Sequence, residues 1–248
     1  MALFIIVSCA VPPHSDYPEL TSHRTYGKSD WEKLSLREKI AQMVMIRIRG
    51  DYYHSEHWYR TSLKKWLSED GVGGVIIFGG NIHGSYNNIQ QFQKWARYPL
   101  LVAADYERGL GQWMSGATLF PSNMALAATD NLDLAYEQGH ITALEARALG
   151  VHVTFSPVMD INNNPNNPII NFRSYSDNPK TVAKFGTAFI QGVQDYKLIA
   201  CAKHFPGHGN TATDSHTSLP TIEGSREELD ELELYPFKQA VQFGVKMM

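Results

Sequence analysis

The sequence predicts an α/β fold of the (β/α)8 TIM-barrel type, and three observations lead to that class. Short all-apolar runs alternate with stretches of helical periodicity, which is typical of a parallel sheet covered by helices on both faces. Polar residues cluster just after the ends of the predicted strands, where barrels and open doubly wound sheets both place their sites. Long loops follow at least three strands, and no glycine-rich loop follows the first one, so the barrel is favoured over the open sheet.

Apolar runs and helical periodicity define the elements in chain order. The predicted strands span 43–48, 75–78, 100–104, 151–155 and 198–202. The predicted helices span 34–44, 56–69, 87–95, 132–149, 179–194 and 226–243. Ser35 and Glu38 are spaced as a capping box, Gly150 is a helix stop, Asn178 precedes a proline that opens a helix, and Pro236 predicts a break.

The number of strands indicates an incomplete barrel. Five strands are complete, and residues 244–248 look like the start of a sixth, whereas a closed barrel needs eight. We therefore expect about five to six of eight β/α units, in a sequence truncated at its C-terminal end. The alternative is a complete open sheet whose last strand is frayed.

Composition excludes several classes of protein. The 248 residues carry 22 Lys+Arg and 25 Asp+Glu, a formal charge of −3, so a general electrostatic affinity for nucleic acid is not expected. Two cysteines cannot form a disulfide scaffold or a four-cysteine zinc site. No apolar run approaches the roughly 20 residues of a transmembrane helix.

The N-terminal segment has the pattern of an export signal. An apolar run at 2–7 is followed by Ser8, Cys9 and Ala10, as at the end of a lipoprotein signal peptide. We expect residues 1–28 to be an export-signal remnant and tether, with Cys9 as a lipid anchor, and residues 29–248 to form the barrel domain. The protein would then be exported, periplasmic or membrane-anchored. If the segment is a disordered tail instead, a cytoplasmic location is expected.

The densest polar stretch lies at 203–216. His204 and His208 have the i, i+4 spacing of a helical zinc pair. Pro206 and Gly207 lie between them, so a helix there is disfavoured and the two rings would not share a face. We expect neither a metal nor another cofactor.

Asp214 and His216 are separated by one residue, and in an extended loop their side chains point the same way. The carboxylate can then fix the imidazole tautomer and suit His216 to proton transfer near neutral pH. Taken alone, the spacing also fits a hydrogen-bonded pair in a solvated loop.

The whole stretch resembles the signature of glycoside hydrolase family 3, in its bacterial β-N-acetylglucosaminidase branch. The matching segments are KHFPGHG at 203–209, DSH at 214–216 and Leu219-Pro220. Three further segments resemble family strands and loops in the same order: 73–78, 101–107, and 155–162 followed by Asn164-Pro165 and 170–174. The resemblance covers residues 35–248.

This resemblance implies a barrel that cleaves terminal β-linked N-acetylglucosamine with retention of configuration. His216 would be the general acid/base and Asp214 would orient it. The expected substrate is an oligosaccharide or muropeptide that contains N-acetylglucosamine. The implied sugar-binding residues are Asp105, Arg173, Lys203 and His204. As structural alternatives, Lys203 would form an ion pair at the edge of the core and Arg173 would brace a loop.

Two departures from the family pattern limit what the resemblance implies. Arg108 stands where the family usually has glycine, which puts the backbone angle of that turn in doubt. The family nucleophile is an aspartate after the seventh strand, so we expect it beyond residue 248 and the chain to be inactive alone.

Three alternative functions, from different classes of protein, remain open. A family 3 β-glucosidase-type enzyme generally lacks the 214–216 motif. An inactive sugar-binding fragment would lack the nucleophile, and a metal-dependent barrel hydrolase is disfavoured by the Pro206-Gly207 break.

Overall fold

The computed structural model describes residues 28–222 and 224–248. The predicted export signal, including Cys9, lies outside the described residues, apart from Lys28, which begins the first helix. None of the described helices combines the length and the apolar character that a membrane crossing requires.

Five parallel strands form one sheet in the order β1-β2-β3-β4-β5. The strands are β1 Met45–Gly50, β2 Gly74–Gly80, β3 Leu101–Ala104, β4 Val153–Thr154 and β5 Ile199–Ala200. A doubly wound sheet reverses its strand order at a switch point, whereas these strands follow one another without reversal. The sheet therefore winds in one direction, as the predicted barrel does.

Helices connect the strands. They are α1 Lys28–Glu32, α2 Leu36–Gln42, α3 Trp58–Lys65, α4 Ile82–Trp95, α5 Asn123–Ala127, α6 Leu132–Leu149, α7 Pro179–Asp195, α8 Arg226–Glu231 and α9 Leu234–Phe243. A π-helical turn, Trp66–Asp70, extends α3, and 3-10 turns lie at Leu110–Gln112 and Asn171–Arg173.

Three predicted helix ends, at Ser35, Gly150 and Asn178, are confirmed. The Ser35 hydroxyl accepts from Glu38 N, and the Glu38 carboxylate accepts from Ser35 N, which completes the capping box of α2. Gly150 ends α6 with φ of 92°, a left-handed conformation that glycine adopts without strain. The Asn178 side chain accepts from Lys180 N and Thr181 N at the start of α7.

Two predicted boundaries are wrong for identifiable reasons. Helix α4 begins at Ile82 rather than 87, because the Asn81 side chain accepts from Gly84 N and caps it. The break between α8 and α9 falls before Leu234, and Pro236 lies in the first turn of α9. Proline is tolerated in a first turn, since the N–H that it lacks would have no partner within the helix.

The core lies between the sheet and its helices. Val75 and Ile77 of β2 are fully buried with Leu63, Leu67 and Phe189 in one apolar cluster. Successive strand residues face opposite sides, so the neighbours of Val75 and Ile77 face the inside of the barrel.

Helices α6 and α7 pack closely over the sheet at two glycines. A Cβ on Gly139 would strike the carbonyl of Phe189, and a Cβ on Gly192 would strike the carbonyl of Tyr136. At the end of the chain, Met247 forms a parallel bridge with Cys201, which continues the sheet beyond β5 as the apolar run at 244–248 predicted.

Candidate active site

The carboxyl ends of β3, β4 and β5 bring together most of the predicted site residues. Asp105 follows β3 directly, and Lys203 lies three residues after β5, where it pairs with Val158 of the β4 loop. Parallel strands present their carboxyl ends at one edge of the sheet, so residues far apart in sequence meet there. Asp105, Arg173, Lys203 and His204 form one connected group, which we call the charge cluster together with Glu107 and Asp160.

Lys203 joins two carboxylates of the β3 turn. Its Nζ lies 2.6 Å from Asp105 Oδ1 and 2.7 Å from Glu107 Oε1. The Glu107 side chain is only 5% exposed, whereas Asp105 keeps more contact with solvent. Lys203 is therefore an ion-pair partner in this structure, and its carboxylate neighbours fix its ammonium at the barrel mouth.

Arg173 binds the buried Glu107 carboxylate as well. Its Nε donates to Glu107 Oε2 at 3.0 Å and its Nη2 donates to Oε1 at 2.7 Å, a bidentate pair. Its Nη1 donates to the carbonyl of Ile169 and so also braces the β4 loop. The structure therefore shows the loop-bracing contact of the structural alternative, and the sugar-binding role of Arg173 stays a prediction.

Glu107 is the central anion of the cluster, and the sequence predictions did not assign it a role. Burial alone raises the pKa of its carboxyl, but hydrogen bonds and charges from Arg173 and Lys203 outweigh burial and lower the pKa to about 2. In turn, Glu107 raises the pKa of the Arg173 guanidinium against the opposing effect of burial. The signal that could have found Glu107 is its place two residues after Asp105 at a strand end.

His204 is oriented by Asp160, a second residue whose role was not predicted. Asp160 Oδ2 lies 2.5 Å from His204 Nδ1, and the same carboxylate accepts from the backbone N–H of His204 and of His208. A carboxylate only accepts hydrogen bonds, so Nδ1 carries the proton in this arrangement. His204 Nε2 then accepts from Arg173 Nη2 at 3.4 Å, within the charge cluster.

Asn167 anchors the loop that follows His204. Its amide nitrogen donates to the carbonyls of His208, Gly209 and Thr211 at 2.8, 3.0 and 2.9 Å. Its amide oxygen accepts from the backbone of Ile169 and Ile170. The β4 and β5 loops are therefore joined by one buried side chain.

His204 and His208, which have the sequence spacing of a zinc pair, have separate hydrogen-bond partners. His208 Nδ1 lies 2.5 Å from Thr211 Oγ1, and its Nε2 lies 3.1 Å from Ser215 Oγ. Burial lowers the pKa of His208. The rings of His204 and His208 are nearly perpendicular, with centroids 6.1 Å apart. Within the described ranges, no three His, Cys, Asp or Glu side chains converge as a metal site would require.

Asp214 and His216 are in contact, but the local backbone differs from the expectation. Asp214 Oδ1 lies 2.7 Å from His216 Nδ1 and accepts from His216 N at 2.8 Å. These residues form a turn and not an extended loop. The turn is closed because the backbone N–H of His216 donates to the same Asp214 oxygen that contacts the imidazole. The hydrogen bonds from His216 lower the pKa of Asp214.

The pair lies outside the charge cluster. The His216 side chain is 77% exposed, and the loop joins the cluster through Ser215, which contacts His208, which in turn donates to Asp160. The structure thus brings the four predicted binding residues together and leaves the predicted acid/base pair on an adjoining loop.

The turn after Glu107 accommodates Arg108 where the family usually has glycine. Gly109 has a positive φ of 76°, whereas Arg108 is not among the described residues with positive φ. Arg108 N donates to Gln112 Oε1, and its carbonyl accepts from Phe120 N. The turn accommodates the bulky residue because the glycine next to it supplies the positive φ.

The cluster presents both kinds of hydrogen-bonding group that a neutral polyol requires. Cationic donors and carboxylate acceptors alternate within it, and Asp105, Arg173 and His204 all retain solvent contact. Sugar hydroxyls both donate and accept, so such an alternation matches them in both directions.

The chain belongs to glycosyl hydrolase family 3. The family model described as "Glycosyl hydrolase family 3 N terminal domain" matches residues 35–248. This membership and the observed sheet confirm the predicted barrel class.

Relatives with known names agree with the family. A protein named beta-hexosaminidase A, from Pseudoalteromonas piscicida, is 35% identical over 237 residues, which covers 84% of this chain and 39% of that protein. A "Beta-N-acetylglucosaminidase/beta-glucosidase" from Cellulomonas fimi is 37% identical over 84% of this chain and 36% of its own length. The structure of a family 3 beta-N-acetylglucosaminidase from Paenibacillus sp. str. FPU-7 superposes with a TM-score of 0.78 at 41% identity, covering 86% of this chain and 41% of that one. The chain thus spans well under half the length of these relatives.

Proposed function

We propose that this barrel binds a terminal β-linked N-acetylglucosamine residue and takes part in its hydrolytic release with retention of configuration. The observation that carries the proposal is the charge cluster at the barrel mouth, with the Asp214–His216 pair on the adjoining loop. Family membership and the names of the relatives support the reaction class and the sugar.

In the proposed complex, the cluster binds the ring hydroxyls. Lys203 and Arg173 donate to sugar oxygens, and Asp105 accepts from a hydroxyl at the far side of the ring. His204 is held by Asp160 with Nε2 toward the cluster, so that nitrogen accepts a hydrogen bond from a sugar hydroxyl in place of the one from Arg173 Nη2. Glu107 holds both cations in place, and these charge-assisted bonds position the sugar without reorganisation.

His216 is the proposed general acid/base. In the first step a carboxylate attacks the anomeric carbon, and protonated His216 donates to the departing glycosidic oxygen. In the second step neutral His216 takes a proton from water as that water attacks the glycosyl–enzyme ester. Asp214 holds Nδ1, which leaves Nε2 for the transferred proton.

The nucleophile is proposed to lie after residue 248, as the family resemblance implies. The carboxylates of the cluster already have partners: Asp105 and Glu107 pair with Lys203, and Asp160 accepts three hydrogen bonds. We therefore expect the 248-residue chain to hydrolyse an aryl β-N-acetylglucosaminide negligibly, while a gene product extended past residue 248 is active. Equal specific activity of the two proteins would contradict this assignment.

The substrate is tested on the extended gene product with matched aryl glycosides. We expect kcat/KM for the aryl β-N-acetylglucosaminide to exceed that for the aryl β-glucoside, and Lys203→Met to lower it by at least tenfold. Lys184→Met, on the exposed face of α7, is the control and should leave kcat/KM unchanged. Because one relative is named for both activities, a preference for the glucoside is the specific alternative and would overturn the sugar assignment.

We also propose that residues 1–28 direct export and that Cys9 receives a lipid, so that the substrate is a cell-wall fragment or a chitooligosaccharide. Labelling of cells with radioactive palmitate tests this directly. The wild-type protein should take up label and a Cys9→Ser variant should not; absence of label from both would refute the anchor.

A further inference from the structure

His208 is a buried histidine of the 203–209 motif, and the proposed mechanism gives it no role. The residue is 7% exposed, and its backbone N donates to Asp160 Oδ1 at 2.6 Å. Its ring Nδ1 lies 2.5 Å from Thr211 Oγ1, and its carbonyl accepts from Asn167 Nδ2 at 2.8 Å. Because the backbone and one ring nitrogen are both held by buried partners, the position of the other ring nitrogen, Nε2, is fixed.

Nε2 of His208 contacts the turn that carries the proposed acid/base. This turn comprises residues 214–218, and we call it the acid/base turn. Ser215 lies in it between Asp214 and His216, and its Oγ is 3.1 Å from His208 Nε2. A hydroxyl both donates and accepts, so it can pair with Nε2 in either tautomer of the ring. Burial lowers the pKa of His208, which keeps the ring neutral near pH 7.

The bond between His208 and Ser215 connects the acid/base turn to the barrel. The other hydrogen bonds of the turn are internal, because Asp214 accepts all of them from residues 216–218. Among the residues that the structure describes, only the Ser215 hydroxyl therefore joins the turn by a hydrogen bond to an earlier part of the chain. Removal of this one hydroxyl would leave the turn without a hydrogen-bonded anchor on the described part of the barrel.

We propose that the hydrogen bond between His208 and Ser215 positions the His216 imidazole relative to the bound sugar, which makes His208 and Ser215 positioning residues. Asp160 supports both partners of the reaction. Its carboxylate holds the ring of the sugar-binding His204 and also the backbone of His208, so the sugar site and the anchor of the acid/base turn share one buried group. An acid must lie within hydrogen-bond reach of the glycosidic oxygen, and a displacement of about 1 Å can cost about 10²-fold in rate.

The inference rests on the proposed function, because it supplies the support for the acid/base that this function names. Its effect is specific to proton transfer. Loss of the Ser215 hydroxyl should slow the cleavage of glycosides whose leaving group needs protonation. It should spare glycosides with good leaving groups, and it should spare the binding of N-acetylglucosamine, whose proposed contacts lie in the charge cluster. A serine that only stabilises the fold would not discriminate between leaving groups.

The experiment uses the extended gene product and measures kcat/KM for a series of aryl β-N-acetylglucosaminides, together with the Kd of N-acetylglucosamine by calorimetry. We expect Ser215→Ala to lower kcat/KM about tenfold for the poorest leaving groups, since one hydrogen bond is worth at most about a factor of ten. For the best leaving groups, and for the Kd, the change should be less than about twofold. Ser215→Thr keeps a hydroxyl and should behave as wild type. Ser218→Ala, which removes an exposed hydroxyl from the same turn, is the matched control and should change neither quantity.

A double variant separates positioning of His216 from an independent effect of Ser215. In the His216→Ala background there is no imidazole to position, so the further change Ser215→Ala should leave kcat/KM unaltered. Three results would overturn the inference: an undiminished loss in that background, an equal loss for all leaving groups, or no loss from Ser215→Ala alone. Failure of the proposed function is a different result, because His216→Ala alone would then leave the dependence on leaving-group pKa unchanged, which overturns both.

Discussion

Replacement of Glu107 by glutamine tests the anion at the centre of the charge cluster. The change keeps the size of the side chain and removes the charge that pairs with Lys203 and with both nitrogens of the Arg173 fork. Its neighbours lower the pKa of Glu107 from 4.5 to about 2, and at about 1.4 kcal/mol per pKa unit the ionised form contributes about 3 kcal/mol to stability. Removal of one partner from a buried pair costs a similar amount, about 3–5 kcal/mol.

The contribution of Glu107 to the free energy of unfolding depends on pH. The pKa of Glu107 is lower in the folded than in the unfolded protein, so its contribution is fully present above pH 4.5 and is lost as the pH falls from 4.5 to 2. Glu107→Gln should therefore be less stable than wild type at pH 7, and the difference should largely disappear near pH 2.

Urea unfolding, followed by circular dichroism at pH 7 and at pH 2, measures both effects. A loss of about 3 kcal/mol corresponds to a midpoint lower by about 1 M urea for a protein of this size. Glu231→Gln, at the exposed end of α8, is the matched control and should leave the midpoint unchanged. If Glu107→Gln unfolds at the wild-type midpoint at pH 7, the cluster does not depend on this carboxylate and the reasoning is refuted.

Three further predictions concern other titratable side chains. His152 Nδ1 accepts from Val102 N, and burial, followed by the Arg147 charge, lowers the pKa of His152 to about 4. The urea midpoint of the wild-type protein should therefore fall as the pH is lowered from 6.5 to 4, and it should fall less steeply in His152→Gln. Equal dependence of the midpoint on pH in both proteins would contradict the lowered pKa of His152. In the extended gene product, Arg173→Lys cannot form the two parallel bonds to the Glu107 carboxylate, so kcat/KM should drop at least tenfold; unchanged kinetics would refute the role of Arg173 in the site. Exhaustive chelation should leave the activity of the extended gene product intact because His204 and His208 have other partners, and a loss that zinc restores would overturn this.

Much of the fold follows from local patterns in the sequence. Apolar runs located all five strands, and caps located the starts of α2 and α7, at Ser35 and Asn178, but the Asn81 cap of α4 was missed. The paired parts of β4 and β5 are shorter than their apolar runs, because a buried residue beyond the ladder is as apolar as one within it. The position of Pro236 shows the limit of residue type alone, since proline ends a helix or begins one according to context.

Four of the six residues of the charge cluster were singled out from the sequence, but their pairing was not predicted. The strand-end rule and the family resemblance together identified Asp105, Arg173, Lys203 and His204, which the structure joins. Glu107, which connects Lys203 to Arg173, remained unassigned, because a contact between residues 66 positions apart leaves no periodic signal in one sequence. The spacing of Asp214 and His216 could not predict the backbone turn at 214–216 either. With one residue between them, the Asp carboxylate can accept from the backbone N–H of the His and close a turn, or it can lie beside the His imidazole on one face of an extended segment.

The most direct test of the proposed mechanism is the dependence of kcat/KM on the pKa of the leaving group, measured on the extended gene product with a series of aryl β-N-acetylglucosaminides. We predict that His216→Ala lowers kcat/KM by about 10²–10⁴-fold for poor leaving groups and far less for good ones, which need little protonation. Asp214→Asn, which leaves the imidazole in place, should cause the smaller loss. If His216→Ala leaves the dependence on leaving-group pKa unchanged, His216 is not the acid and the account of this site is contradicted.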